Sequence, residues 1–342
     1  MTTLAPLADH CSRVIFHAPY TVAVEQAPLP TPAPDQLLIQ TTLSAISAGT
    51  ELLFYRGQVP SHMNVDASIT ALAAGQGIHY PLAYGYAAVG RVIAVGATLE
   101  EASWLGRRVF AFQPHASHFL AKGAELLPIP DSVSDEQAIF LPNMETAINF
   151  VHDGAPLLGE RVIVFGQGIV GLLTLSLLAR YPLGELIAVD REPSRHERAM
   201  AFGATAVYGD RAVAQPAMRD ADLVYELTGN PGALTDAINC TAYSGRVVVG
   251  SWYGRKRAEI DLGGHFHRNR IQLISSQVST IAPALQGRWN KARRFAAAWS
   301  MLQQLDPELL ITHQLPVLAA ADAYQLLDQQ PQQALQVVLS YG

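Results

Sequence analysis

The sequence contains only two cysteines, Cys11 and Cys240, in 342 residues. That is too few for a disulfide framework or a cysteine-rich zinc site, so a reducing compartment is the expected setting. No apolar run reaches the roughly 20 residues needed to cross a bilayer. The opening stretch lacks the basic start, apolar segment and small-residue cleavage site of an export signal, and a cytoplasmic protein with no membrane partner is expected. Blocks of basic charge are also missing. The net charge is -6 and the densest basic cluster is Arg255, Lys256 and Arg257, which reads as a solvated turn after a strand. Nucleic acid is therefore not an expected partner. What the chain does have is core-forming material, with 49% hydrophobic and 15% charged residues. At this length it can bury a large core and form two domains.

The first half reads as β-rich. "SRVIFHAP", "YTVAVEQAP", "QLLIQTTLSAIS", "AAVGRVIAVGA" and "GRRVFAF" are short runs rich in valine and isoleucine, separated by Gly, Pro and Asn. The rhythm changes after about Asp135, where "SDEQAIFLPNMETAINFVHDG" has helical spacing. From Arg161 onward "RVIVF", "ELIAV", "ATAVY", "ADLVYEL", "GRVVVG" and "RIQLIS" alternate with helical segments. Six such runs predict a parallel sheet covered on both faces, hence an α/β fold. Beyond Ser276, "NKARRFAAAWSMLQQL" and "AADAYQLLDQQ" read as helices, "LLITHQLPV" and "ALQVVLSY" as strands.

"RVIVFGQGIVGLLTLSLLAR" sets Gly166, Gly168 and Gly171 in the order G-x-G-x-x-G between a strand and an apolar helix. The first glycine permits a tight turn, the second a close approach of the backbone to a pyrophosphate, and the third close packing of helix on strand. The amides of Ile169, Val170 and Gly171 then face the phosphates at the positive end of the helix dipole. Asp190 follows Gly171 by nineteen positions at the end of the next strand, where a carboxylate holds the adenosine ribose hydroxyls. A nicotinamide dinucleotide is the expected cofactor. NAD is favoured because Asp190 would repel a 2′-phosphate, with NADP the alternative because Arg191 and Arg195 lie close by. The plain reading of those two arginines is a solvated helix start.

Taken together, these features resemble the medium-chain dehydrogenase/reductase superfamily along essentially the whole chain. "SAISAGTELLFYRG" is similar to the stretch in which a zinc-ligand cysteine precedes glycine, threonine or serine, and aspartate. The matching residues are Ala48, Gly49, Thr50 and Glu51. "YGYAAVGRVIAVG" is similar to the stretch carrying a ligand histidine and a glutamate, and "LPNMETAINFV" to the one supplying a third ligand. "VYELTGNPGAL", with Thr228, resembles the fourth strand and following loop of the cofactor domain. The resemblance implies a β-rich GroES-like catalytic domain, 1–142 and 284–342, plus a Rossmann doubly wound parallel-sheet domain, 143–283. It also implies a homodimer joined through the last parallel strand. Among subfamilies, "ISAGTE" and the glycine-tyrosine pair look most like bacteriochlorophyllide a dehydrogenase, a likeness that breaks at Ala87, where an acidic residue is expected.

The departures bear on the chemistry. Ala48, Tyr86 and Pro142 stand where the family has its zinc ligands, and none is a thiolate, imidazole or carboxylate. The family's four-cysteine zinc lobe is also missing, so no metal is expected. His115 and His118 in "HASH", and His265 and His267 in "HFH", read as polar loop histidines rather than a rebuilt metal site. Without zinc, hydrogen-bond donors must meet the reacting oxygen. Thr50 aligns with the family's proton-relaying hydroxyl, Tyr86 offers a phenol in the histidine's place, and Glu51 would orient the relay. Each has a plainer alternative: Thr50 as a helix cap, Tyr86 as a packing aromatic, Glu51 as a surface carboxylate. Tyr55, His62 and Tyr84 are further polar candidates. Leu53, Phe54 and Phe140 suggest a partly hydrophobic small-molecule substrate, though they could equally be core. Three functions remain open: NAD(H)-linked alcohol–carbonyl interconversion without zinc, reduction of an enone or quinone, and a non-catalytic NAD(H)-binding redox sensor.

Overall fold

The β-branched runs of the first half form strands in the computed structural model, which describes residues 9–60, 78–210 and 215–342. His62 lies outside the described residues. The strands are β1 (His10–Ala18), β2 (Thr21–Pro28), β3 (Leu37–Ile46), β4 (Leu82–Ala83), β5 (Ala88–Val95), β6 (Arg108–Ala111), β7 (His118–Ala121) and β8 (Leu126–Pro128). A five-residue helix, α1 (Glu51–Tyr55), follows β3. The chain then runs through α2 (Leu141–Gly154), β9 (Arg161–Phe165), α3 (Ile169–Leu178), β10 (Glu185–Val189) and β11 (Ala206–Tyr208). After these come β12 (Ala221–Glu226), α4 (Ala233–Cys240), β13 (Thr241–Val249), β14 (Gln272–Ser275) and α5 (Lys291–Leu302). It closes with β15 (Ile311–Pro316), α6 (Ala320–Gln329) and β16 (Gln336–Ser340).

These elements form two compact units, one of Met1–Phe140 with Glu308–Gly342, the other of Leu141–Pro307. In the first, a sheet ordered β15-β16-β3-β5-β6-β8, with β7 also on β3, lies beside a smaller sheet ordered β2-β1-β4. The final strand β16 pairs antiparallel with β3, so the tail completes the sheet that the first half began. Val14 and Phe16 of β1 and Ile46 at the end of β3 meet side chains from α1 and α6 in one apolar cluster. It holds Val14, Phe16, Ile46, Leu53, Phe54, Tyr84 and Tyr324.

The second unit carries a sheet ordered β11-β10-β9-β12-β13-β14, every pair parallel. All six strands are the runs read from the sequence. The valines and isoleucines of the central strands β9, β10 and β12 are buried because helices cover such sheets, which is why these strands read as continuous apolar runs. The order is that of a doubly wound dinucleotide fold, with its switch point between β9 and β12. This unit extends to Pro307, whereas the sequence placed its end at 283. The cause is α5, whose Arg294 is fully buried against Glu145 and Asn149 of α2 and against the carbonyls of Val278 and Thr280.

Candidate active site

The glycine turn after β9 has the geometry its residues require. Gly166 has φ +89°, and a Cβ there would lie 2.7 Å from the Leu227 backbone. A Cβ on Gly171 would come within 1.9 Å of the Gly166 carbonyl oxygen, so helix α3 packs against the turn only with glycine at that position. A Cβ on Gly168 would meet nothing within 4 Å, leaving an open face at the helix start beside Ile169 and Val170. These are the features that let a backbone approach a diphosphate. Asp190, buried at the end of β10, accepts the Gln167 amide at 2.6 Å and the Glu192 amide at 2.8 Å. The carboxylate is thereby fixed beside the turn. Arg195 reaches Asp190 at 3.4 Å, whereas Arg191 is exposed and turns to Glu192.

Across the switch point, Glu226 is a fully buried carboxylate at the end of β12. One oxygen accepts from the Thr228 amide at 2.9 Å and from the Thr228 hydroxyl, the other from the Tyr253 phenol. Burial, reinforced by Glu226, drives the Tyr253 phenol far above its ordinary range, so it stays a donor. Thr228 is therefore held at the edge of the crevice. Sequence reading singled out Thr228 without the Glu226 carboxylate that holds it, and without Tyr253, which reaches that carboxylate from a separate loop.

In the first unit the residues aligned with the family's metal site lie at the start of α1 and before β5. Thr50 precedes α1, and its hydroxyl makes no capping hydrogen bond. Tyr86 is half-buried, and its phenol donates to the hydroxyl of Ser47, one turn before Glu51. Glu51 is not a surface carboxylate: it is fully buried. It accepts the Ser47 amide at 2.8 Å on one oxygen, and on the other the Tyr324 phenol and His115 Nε2, the latter at 2.9 Å. His115 Nδ1 meets Ser44 Oγ at 2.6 Å, and Ser44 meets the Tyr341 hydroxyl at 2.7 Å. Burial raises both phenols, with the Glu51 charge adding to the effect, and keeps them protonated as donors.

Several sequence expectations change here. His115 is 1% exposed rather than a polar loop residue, and both ring nitrogens are engaged. Neither the reading of Glu51 as a surface group nor that of His115 as a loop group accounted for partners arriving from α6 and the C-terminal tail. Leu53, Phe54 and Phe140 are core residues, as is Tyr84, whose ring stacks on Phe54 at 3.8 Å. Tyr55 stacks on Tyr324. His265 spends Nε2 on the Thr241 carbonyl and Nδ1 on Asn269.

A zinc ion does not fit this donor set. Ala48 presents a methyl packed on the apolar cluster, Tyr86 a phenol bound to Ser47, and the nearby imidazole of His115 has both nitrogens occupied. Pro142, in α2 of the other unit, offers only its carbonyl, which accepts from Thr146. Among the described residues no group of three His, Cys, Asp or Glu side chains is arranged to hold a metal. A nicotinamide dinucleotide does fit, on the Gly166–Gly171 turn and Asp190.

Residues 170–298 match the family model described as zinc-binding dehydrogenase. The L-threonine 3-dehydrogenase of Stenotrophomonas maltophilia is 24% identical over 265 residues, covering 66% of this chain and 72% of that one. An uncharacterized zinc-type alcohol dehydrogenase-like protein of Escherichia coli, YphC, is 25% identical over 345 residues, 90% of this chain and 92% of its own. Among solved structures, 2R,3R-butanediol dehydrogenase from Bacillus subtilis superposes with a TM-score of 0.78 at 19% identity, covering 97% of this chain and 100% of that one. These matches support the medium-chain dehydrogenase/reductase superfamily, and the chain shares its fold, a GroES-like unit with a Rossmann unit. Its class is that of the nicotinamide-dependent oxidoreductases. No helix among the described residues is long and apolar enough to cross a membrane.

Proposed function

We propose that this chain is a zinc-independent oxidoreductase that interconverts an alcohol and a carbonyl using NAD(H). The observation that carries the reading is the Tyr86–Ser47 hydroxyl pair, part-buried where relatives are expected to have a metal ligand, with Thr50, three positions after Ser47, making no capping hydrogen bond. A bound nicotinamide supplies or accepts the hydride. The chain's own residues must manage the oxygen and its proton. When the Ser47 hydroxyl turns to donate to Tyr86, the phenol proton is directed to the substrate oxygen and stabilises the charge that develops there. Thr50 is the second hydroxyl on the path by which the alcohol proton leaves or the carbonyl gains one. The partly buried Ala48, Tyr86 and Phe112, packed on the apolar cluster, favour a substrate with hydrophobic surface. Together with the paucity of cysteine, the reading takes the protein as cytoplasmic.

The test is a screen of secondary alcohols, enones and quinones with both cofactors, following the absorbance of the reduced nicotinamide. Turnover of alcohols or their ketones is the expected outcome. Turnover of enones or quinones alone would replace this reading with double-bond reduction, and tight cofactor binding without turnover would replace it with a sensor. Elemental analysis should find no stoichiometric zinc, and chelators should leave the rate unchanged. One tightly held zinc per chain would refute the metal-free site.

The reading also favours NADH over NADPH, by about tenfold, since a carboxylate and a 2′-phosphate about 4 Å apart repel by roughly 1–4 kcal/mol depending on the local dielectric. Arg195, paired with Asp190, keeps the effect toward the lower end. Asp190→Ser should narrow or reverse the gap in a fluorescence titration, and a wild-type preference for NADPH would contradict it.

A further inference from the structure

Gly85 directly precedes Tyr86 and has φ +133°. A Cβ built there would lie 2.8 Å from Cδ2 and 2.9 Å from Nε2 of His115. The imidazole therefore fills the space that a side chain at position 85 would take, and glycine is required both by the backbone conformation and by the ring. That ring is fastened on all sides. Its backbone amide bonds the Tyr84 carbonyl and its carbonyl accepts the Val14 amide, while its two nitrogens meet Glu51 and Ser44.

His115 consequently reaches Tyr86 along two routes. One is direct packing against Gly85, which sets where the Tyr86 backbone begins. The other runs through Glu51, whose far oxygen holds the Ser47 amide, and so to the Ser47 hydroxyl that meets the Tyr86 phenol. Stability alone is a poor reason for such an arrangement. A buried carboxylate with an imidazole, hydroxyls and two phenols loses hydration that an apolar core of equal volume would not, and replacing such groups by hydrophobic ones is often neutral or stabilising. What the network does supply is a fixed position: every donor and acceptor of Glu51 and His115 is matched, and the chain of bonds surfaces at the half-exposed Tyr86.

We propose that His115 is a positioning residue that, through Glu51–Ser47 and through Gly85, fixes the place and orientation of the Tyr86 phenol. This rests on the reading of Tyr86 as the donor to the substrate oxygen. In place of a metal ion held by several ligands, the first unit would use one tyrosine held at both ends by one buried histidine.

The full chain labelled with ¹³Cζ-tyrosine provides the test, the Tyr86 resonance being the one absent from Tyr86→Phe. In His115→Gln the Tyr86 resonance should move, while NADH affinity, a property of the other unit's glycine turn, stays as in wild type. With an alcohol substrate, kcat should fall on the order of tenfold, as when a group supporting a catalytic residue is lost, and KM should change little. In a Tyr86→Phe background the same substitution should cost nothing further, because it acts through the missing phenol. A folded His115→Gln protein with an unmoved Tyr86 resonance would overturn the proposal, as would kinetic losses that simply add. If His115→Gln does not fold, Ser44→Ala, which removes the partner that Nδ1 and the Tyr341 hydroxyl share and leaves the imidazole in place, takes its place: a moved resonance with a reduced kcat supports the proposal, and an unmoved resonance overturns it. Should the resonance move while Tyr86→Phe turns over as fast as wild type, the positioning stands and the reading of Tyr86 as donor fails.

Discussion

Replacing Tyr86 by phenylalanine is expected to lower kcat for an alcohol or carbonyl substrate by about 10²–10³, the usual loss when one donor to a developing oxyanion is removed. The substitution deletes a single oxygen. The ring, which meets Tyr84 edge-on with centroids 6.4 Å apart, remains in place, so the loss reports the hydroxyl rather than the packing. Cofactor affinity should be unchanged and KM should move little, the pattern of an interaction made mainly in the transition state. Thr50→Val, close to isosteric, should act in the same direction, because its hydroxyl caps no helix and the substitution leaves α1 intact. Steady-state kinetics with a substrate from the screen, together with NADH titrations, check both. If both variants match wild type, the two side chains are packing groups and the donor lies elsewhere.

The parts of this protein that were legible in the sequence are those whose physical requirements are local. The central parallel strands announce themselves by valine and isoleucine because they are buried on both faces, and all six runs appear as β9 to β14. The glycine turn is legible for the same reason: Gly166, Gly171 and Asp190 lie within one strand–helix–strand unit, and the contacts that demand them are only a few residues away. The buried polar groups of the first unit are different. Glu51 meets His115 across 64 positions and Tyr324 across 273, separations at which sequence pattern carries no signal. A glutamate after a threonine at a helix start looks solvated, and a histidine after a proline in a β-rich region looks like loop. Only Gly85 offered a clue to His115, and its meaning depends on a ring that is 30 residues further along the chain. Leu53 and Phe54 show the converse: apolar residues near a presumed cleft carry no mark that tells lining from core, and here they are core.

Arg294 was similarly hidden, since "NKARRFAAAWSML" reads as an amphipathic helix and its pattern does not tell which arginine is buried. The side chain is instead 0% exposed, bonded to Glu145 at 3.0 Å, to Asn149 and to the carbonyls of Val278 and Thr280. Arg294→Met keeps much of the length and removes the charge, leaving a buried carboxylate and two backbone carbonyls short of donors. Breaking a buried pair in this way costs about 3–5 kcal/mol. The lower end is expected, because Lys291 still reaches Glu145 at 2.6 Å from a partly exposed position. For a unit of this size 1 kcal/mol corresponds to about 2–4 °C, so the melting temperature should drop by about 6–12 °C. Glu145→Leu added to Arg294→Met should recover part of that loss, since it removes the buried carboxylate short of a donor, while the Lys291 ammonium is left partly exposed to water and keeps the Val278 carbonyl. Thermal unfolding followed by circular dichroism measures both. A single variant that melts within a degree or two of wild type would mean that Lys291 and trapped water meet these groups as well as the guanidinium does. A double variant no better than the single would mean that the cost lies in Asn149 and the carbonyls of the Val278–Thr280 loop rather than in Glu145.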